Sequence, residues 1–539
     1  MPAKDAKAQA WDISTDVVVV GFGAAGTCAA LAARENGADV VALDRFGGGG
    51  ATALSGGIIY AGGGTVVQRQ AGVTDTLEEF LAYLQLEVGD VVRPETLRRF
   101  AESSVEMIDW LSGHGVPFDA SMCPYKVSYP NNKYYLYYSG SENSGGFRDV
   151  TRPVPRGHRV KGKGASGKKL YGPLAQSGLA KGVRLREHTR VTDLVTDAAG
   201  RVVGVQALTL NRAPRWVRQQ FSKAASLSAK PGVYYPPLRK VMDHRMRRLE
   251  QKFAIPVRVQ ARRGVILCAG GYIANTDWIQ RYAPQFSCGL PLGTSGDDGS
   301  GIALAVEAGA VTDRMDNVSA WRFITPPSAF LGSIIVDQDG RRIIDETRYG
   351  AATGQAMIRK HGGKGWVLAD AELMRERRKQ VPVQSIWFQR LQGEGQVVLD
   401  AKRGGTLEQV ARAAGVDHDG LAKTVAAHND AIDSGTTDPM GKPAEFTRLV
   451  GNGPYTLINI SIRRSVLNPT PMLTLGGVRV DEDTGFVVTG SGDPVPGLYA
   501  AGRTAVGVCS NSYVSGLSLA DCVFSGRRAG AHAAGSSEG

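Results

Sequence analysis

Gly21, Gly23 and Gly26 stand in the order G-x-G-x-x-G directly after the apolar run Val17 to Val20. At this spacing between a strand and a helix, the first glycine permits a tight turn. The second lets the backbone approach a pyrophosphate at the helix N-terminus, and the third lets helix and strand pack closely. Asp44, 18 residues after Gly26, closes the next apolar run and is placed to accept from a ribose hydroxyl. Alone, the motif says dinucleotide and no more. Strand, turn, helix, strand and acid following one another near the N-terminal end strengthen it.

Two further segments separate a flavin from a nicotinamide dinucleotide. GGGGATALSGG, residues 47 to 57, follows the ribose acid, and VPGLYAAGR, residues 495 to 503, lies near the C-terminal end ahead of a helix. A nicotinamide domain needs neither. A flavin dinucleotide needs both, because it lies extended across the fold and its ring must be reached by returning chain. This three-part pattern, with GVILCAGG at 264 to 271 and TSGDDGSGIALAVEAGA at 294 to 310, resembles the fumarate reductase/succinate dehydrogenase flavoproteins over nearly the whole chain. The resemblance implies FAD held by Gly21, Gly23, Ala24, Ala25 and Gly26; by Asp44 and Arg45; and by Gly50, Ala51, Thr52, Ser55, Gly56 and Gly57. It further implies contacts from Ala269, Gly270, Asp298, Gly502, Arg503, Ser518 and Leu519. The first histidine is His114, so no histidine stands in the second glycine segment and the flavin is expected to be noncovalent. At Arg503 the family usually carries an acid facing the ribityl chain. The helix starting near Gly516 is expected to aim its amides at the flavin edge that gains negative charge on reduction.

The substrate end departs from the fumarate reductases. In MLTLGG, Met472 stands where the family's histidine is expected, and in SYVSGLSLA, Tyr513 stands where a substrate arginine is expected. Both changes remove charge that a dicarboxylate would need. YVSG at 513 to 516 and DETRYG at 345 to 350 resemble the 3-ketosteroid Δ4-(5α)-dehydrogenases of the same superfamily. That resemblance implies Tyr513 as the base taking a proton from C4 and Ser515 and Tyr349 as a relay. Amides near Gly516 and Leu517 would polarise the C3 carbonyl while hydride passes from C5 to the flavin. Polarising a ketone acidifies its α-carbon, and tyrosine, whose unperturbed pKa is about 10, needs such help to act as a base. The alternatives are a 3-ketosteroid Δ1-dehydrogenase, a fumarate or enoate reductase, and a flavoprotein-derived binding module. The tyrosines of KVSYPNNKYYLYYSGSE, 126 to 142, are either a solvated β-rich loop or a wall of the steroid pocket through Tyr129, Tyr137 and Tyr138.

These residues need an α/β frame. Asp16–Val20, Ala24–Asn36 and Asp39–Leu43 read as a βαβ unit, Thr76–Leu86 and Arg93–Ser112 as helices, and Arg190–Val195 with Val202–Leu210 as a hairpin-like pair. Val257–Arg262 leads into GVILCAGG as a further strand. The expected fold is a Rossmann-like FAD-binding domain of glutathione reductase type over 11–310, interrupted by an insertion at 211–254. An α+β capping and catalytic domain follows over 311–454, and the FAD-binding domain resumes over 455–533.

Composition supports an ordinary α/β chain: 539 residues, 42% hydrophobic, 69 glycines. The six cysteines form no C-x-x-C pair and are expected to be free thiols in a cytoplasmic chain; no metal site is expected. The net charge of +12 is concentrated: residues 212 to 263 hold 14 Lys and Arg against 2 Asp and Glu. With no recognition motif beside it, this excess excludes nucleic acid as a partner. Leu238, Met242, Met246, Leu249 and Phe253 recur at helical spacing among the cations. They read either as a solvated helix packed on the FAD domain or as a peripheral contact with an anionic membrane. The expected partners are thus a steroid, an electron acceptor for the reduced flavin and, on the second reading, lipid.

Overall fold

The β-branched run ending at Val20 is wholly apolar, and the chain is extended through it. In the computed structural model, which describes residues 10–465 and 468–535, the central sheet contains β1 (Ile13–Val20), β2 (Val40–Leu43), β3 (Arg184–Arg186), β4 (Thr189–Thr196), β5 (Val202–Thr209), β6 (Ile255–Leu267), β7 (Phe486–Val488) and β8 (Pro494–Ala500). The strand order is β7-β8-β6-β1-β2-β3, with β5 joining β6 and β4 joining β5. The pairs β8/β6, β6/β1, β1/β2 and β2/β3 are parallel, whereas β4/β5, β5/β6 and β7/β8 are antiparallel. The two stretches read from sequence as Val257–Arg262 and GVILCAGG form one strand, β6. Its residues 255–260 pair with β5, 259–267 with β1 and 265–267 with β8. Both faces are covered, as a parallel sheet requires: Val18, Val20, Val265 and Leu267 enter one core, and Val17, Val19 and Ile266 the other.

Helix α1 (Ala24–Glu35) follows β1, and the long C-terminal helix Leu517–Gly535 lies against it. Their approach is set by glycine. A β-carbon at Gly526 would lie 2.5 Å from the Ala25 carbonyl oxygen, and one at Gly530 2.1 Å from that of Ala29. The stretch read as one helix over Arg93–Ser112 is two, Pro94–Glu102 and Ser104–Gly113, broken at Ser103.

The insertion folds as two helices, α2 (Arg215–Ala229) and α3 (Pro236–Phe253), around Val217, Phe221, Ala224 and Met246. It is tied to the nucleotide end of the sheet. Phe221 stacks on Phe46 at 6.2 Å, and Arg45 makes a two-pronged ion pair with Glu250 at 2.8 and 2.9 Å. Alternate residues of the four-stranded antiparallel sheet Ile334–Val336, Trp366–Ala369, Tyr455–Asn459 and Ala401–Gly404 enter two opposite cores. Because Tyr455–Asn459 pairs within that sheet, we place the end of the cap after residue 459 and not at 454. Helices α4 (Ala371–Gln384) and α5 (Trp387–Leu399) belong to the same region, and the C-terminal helix Leu517–Gly535 is α6. The six cysteines are free thiols, and no helix among the described residues is long and apolar enough to cross a membrane.

Gly530→Val drives side-chain atoms into the backbone of α1. Overpacking of this kind costs about 1–3 kcal/mol or more, so the apparent unfolding midpoint falls in a thermal scan. Gly535→Val, on the same helix but with no neighbour within 4 Å, leaves the midpoint unchanged.

Candidate active site

The crevice lies where the carboxyl ends of β1, β6 and β8 meet, the position at which open α/β sheets bind ligands. Gly21 turns there with φ of +92°, and a β-carbon on it would sit 2.5 Å from the Cys268 carbonyl oxygen. Gly26 is needed for packing, its β-carbon position lying 1.9 Å from the Gly21 carbonyl oxygen. Gly23 differs from both. Its φ of −86° is open to any residue, and a β-carbon would meet nothing closer than Thr52 Oγ1 at 3.6 Å. The absence of a side chain at Gly23 therefore serves space in the crevice and not the fold. The Ala24 amide donates to Thr52 Oγ1 at 3.0 Å, joining the first and second glycine segments.

A cavity of about 930 Å³ begins at this cradle and continues to the cap. Gly21, Gly23, Ala24, Ala25, Asp44, Arg45, Gly50, Ala51, Thr52, Ser55, Gly56 and Gly57 line it, with Ala269, Gly270, Asp298, Arg503, Ser518 and Leu519. Gly26 and Gly502 do not. Gly502 instead lets the turn press on α1, its β-carbon position 2.8 Å from that of Ala25. Asp44 is already well used: its carboxylate accepts from the amides of Phe22 at 2.9 Å, Phe46 at 2.8 Å and Gly48 at 3.0 Å. A carboxylate has about four acceptor positions, so one remains for a ribose hydroxyl. Sequence reasoning missed Asp297, which is buried beside Asp298 and pairs with Arg503 at 2.5 Å. The signal was present as two adjacent acids in a glycine-rich turn, but only the fold shows which of them holds the arginine.

The other end of the cavity brings Tyr513, Ser515, Gly516 and Tyr349 to one wall. The loop carrying the first three is pinned on several sides. Asn317 Nδ2 donates to the carbonyls of Ser510 and Asn511 at 2.7 and 2.8 Å, Ser512 Oγ donates to buried Glu87 at 2.5 Å, and Ser139 Oγ donates to the Ser515 carbonyl at 2.9 Å. Gly516 has φ of +100° and its carbonyl accepts from Tyr60 N at 3.2 Å. The Leu517 amide is taken by the Val514 carbonyl at 3.2 Å, whereas the Gly516 amide has no partner among the described residues. Of the two expected amide donors, only that of Gly516 is left for a ligand. Tyr349 caps the helix Gly350–Lys360 and is held through its amide by Ser141 Oγ at 3.2 Å.

Tyr513 stacks on Trp321 at 5.1 Å, and Tyr349 meets Phe323 edge-on at 5.2 Å. Neither Trp321 nor Phe323 was marked in sequence. Burial pushes the Tyr513 phenol well above its usual range, Cys509 adds to the rise, and the Arg503 guanidinium opposes it. Burial raises Tyr349 too, neighbouring Tyr513 adds to this, and a hydrogen bond with Ser515 works against it. Tyr129 lines the cavity and clamps the second glycine segment, its hydroxyl donating to the Gly56 carbonyl at 3.0 Å. Tyr137 is fully buried behind the wall, its hydroxyl 3.5 Å from Ser515 Oγ, and Tyr138 lies outside the main cavity. Met472 also lies outside. On an extended strand alternate residues face one side, so its neighbours Pro471 and Leu473 line the cavity while Met472 is wholly buried in the core. The apolar side chain that this strand presents to the cavity is thus Leu473 and not Met472.

The family model of the FAD binding domain matches residues 16–519. The chain belongs to the FAD binding domain family. It is an FAD-dependent oxidoreductase of the fumarate reductase superfamily and groups with its 3-ketosteroid dehydrogenases. It is 37% identical over 503 residues to the 3-oxo-5-alpha-steroid 4-dehydrogenase of Comamonas testosteroni, covering 91% of this chain and 93% of that one. It is 28% identical to the 3-oxosteroid 1-dehydrogenase of Mycobacterium tuberculosis over 92% of this chain and 94% of the relative. Among solved structures, the 3-ketosteroid-delta4-(5alpha)-dehydrogenase of Rhodococcus jostii RHA1, in complex with 4-androstene-3,17-dione, superposes with a TM-score of 0.81 at 30% identity over 99% of both chains. The cradle suits the family's cofactor: the unfilled space at Gly23 and the buried, unpartnered Nη1 of Arg503 both fit a dinucleotide.

Gly23→Val is expected to fold, since a β-carbon there makes only ordinary contacts at 3.6 and 3.8 Å, and to lose FAD. The checks are an unchanged far-ultraviolet circular dichroism spectrum and the loss of flavin absorbance, with wild-type protein releasing its FAD into the supernatant on acid treatment. A Gly23→Val protein that retains stoichiometric FAD would remove this part of the cradle.

Proposed function

We propose that the protein desaturates the A ring of 3-keto-5α-steroids between C4 and C5. The observation that carries this is one apolar wall on which the half-buried Tyr513, a serine and a free backbone amide converge, continuous with the FAD cradle. The Gly516 amide donates to the C3 carbonyl oxygen and so acidifies C4. Tyr513 takes the C4 proton while its own hydroxyl proton passes to Ser515, that of Ser515 to Tyr349, and that of Tyr349 onward to water. Trp321 and Phe323 flank the two tyrosines, keep water out and offer flat apolar surface to a steroid ring. Bound FAD supplies the two-electron acceptor for the hydride leaving C5, held by the glycine segments, Asp44 and the start of α6. Arg322, a cation on the cavity wall, is what a dicarboxylate reductase would use. Its guanidinium is instead engaged by Asn468, Thr470 and the Ser461 carbonyl.

The cavity rim supports a lipid partner. Lys230 and Tyr234 line it from the insertion, and Trp387, Phe388 and Leu391 from α5. Tyr234, Trp387, Phe388 and Leu391 are 54%, 77%, 42% and 69% exposed, respectively. Aromatic side chains favour the membrane interface, and clustered cations favour anionic headgroups. We propose that this rim rests on an anionic membrane, from which an apolar substrate enters the cavity.

Tyr513→Phe keeps the ring and its stacking on Trp321. It is expected to bind FAD and steroid nearly as the wild type does and to slow flavin reduction by roughly 10²–10⁴-fold, the usual worth of a positioned general base. Stopped-flow reduction by a 3-keto-5α-steroid measures this; a wild-type rate in the variant would displace Tyr513 from the role of base. Rapid reoxidation of the reduced enzyme by fumarate would favour the reductase reading instead.

Sedimentation with phosphatidylserine vesicles at low salt tests the rim. Binding is expected to weaken as salt screens the charges and to be lost in Trp387→Ser/Leu391→Ser, with turnover of detergent-solubilised substrate retained. Absence of the protein from the vesicle pellet at low salt would dismiss the lipid partner.

A further inference from the structure

Arg503 stands where the family resemblance implies an acid, and its surroundings give it a purpose. It follows Gly502 in the turn after β8 and is 14% exposed at its side chain. One prong, Nη2, donates to Asp297 Oδ1 at 2.5 Å. The other, Nη1, is buried without a partner. Asp297 is itself held from the far side, its Oδ2 accepting from the Thr294 amide at 3.0 Å. Glycines keep the space around the pair clear: a β-carbon at Gly270 would lie 2.6 Å from Asp297 Oδ1, one at Gly293 2.4 Å from Oδ2, and one at Gly271 3.6 Å from Arg503 Nη1. Gly270, Gly293, Asp297 and Arg503 all line the cavity between the nucleotide cradle and the Tyr513 wall.

We propose that the Arg503–Asp297 pair is an oriented charge that tunes both halves of the reaction, its positive end turned toward the flavin cradle and Tyr513 and its negative end anchored behind it by Thr294. The role at Tyr513 rests on that residue being the base; the role at the flavin does not. A fixed cation near the flavin favours the electron-rich reduced form over the oxidised one. Near a phenol it favours the ionised form. Around Tyr513, burial first and then Cys509, Tyr137 and Cys522 raise its proton affinity, Tyr349 lies beside it with a ring separation of 6.2 Å, and the Arg503 guanidinium, on the same cavity lining, opposes the rise. The enzyme thereby gains the charge a tyrosine base in an apolar wall requires without placing a free cation against an apolar substrate. An acid at 503 would act in the opposite sense on both groups.

The test uses holoenzyme of Arg503→Gln, Arg503→Lys and Asp297→Asn. The first readout is the flavin midpoint potential without steroid. Arg503→Gln is expected to disfavour reduction at least tenfold, a negative shift of about 30 mV or more for a two-electron couple. Asp297→Asn, which leaves the cation uncompensated, is expected to shift the potential positively, and Arg503→Lys to stay close to wild type. The second readout is the pH dependence of flavin reduction by a 3-keto-5α-steroid, whose midpoint is expected to rise in Arg503→Gln and fall in Asp297→Asn. Opposite signs are the signature of charge, since loosened packing would move both variants the same way. Potentials that move in the same direction, or that do not move, overturn the proposal. If Arg503→Gln does not retain FAD, Asp297→Asn and Arg503→Lys still decide the sign. If the potentials shift as expected but steroid reduces none of the proteins, the substrate reading fails and the charge pair stands.

Discussion

At Gly21 the chain turns so close to the Cys268 carbonyl that no side chain fits, and the same crowding recurs wherever β1, β6 and β8 end. Gly26 lies against the Gly21 carbonyl and Gly502 against Ala25, while Gly526 and Gly530 bring α6 down on α1. Close approach at each of these places sets the width of the crevice. The flavin segments, the start of α6 and the loop carrying Tyr513 all take their positions from it, because each leaves one of these turns or helices within a short stretch of chain.

Polar groups near the reacting end are satisfied with few exceptions. The Ser510–Gly516 loop is tethered through Asn317, Glu87, Ser139 and Tyr60, so its shape does not depend on a ligand. Against this background the unpartnered groups stand out: the Gly516 amide, Arg503 Nη1 and, elsewhere along the cavity lining, the Nε atoms of Arg190, Arg322 and Arg377. Buried polar groups without partners are costly, and all of these belong to residues that line the cavity, where a ligand would satisfy them. A rigid tether around a few unsatisfied donors is the arrangement that electrostatic preorganisation requires.

The insertion joins the same scheme. Arg45 follows the ribose acid directly, and its ion pair with Glu250 ties α3 to the nucleotide end of the sheet. Phe46, the next residue, stacks on α2. The insertion therefore reaches the crevice through the segment between its two helices, where Lys230 and Tyr234 line one cavity with α5.

The parallel core and the cofactor were legible in the residues alone. The β1–α1–β2 unit, the three glycines, the ribose acid and the two later glycine segments are local patterns, because a turn that admits only glycine and a strand buried on both faces mark their own residues. The base-bearing loop was legible through its resemblance to relatives. Other features were set by contacts between residues far apart in the chain. Leu473, not Met472, faces the cavity because strand pairing sets which alternate residues point inward. Asp297 rather than Asp298 holds Arg503 because the turn aims one of two adjacent acids at a strand end some two hundred residues away. Trp321, Phe323 and α5 carry no local mark of function, being apolar stretches that would serve equally in a core. Whether such a side chain is covered by protein or left to meet a substrate depends on what the rest of the chain packs against it, and no short stretch of sequence contains that information.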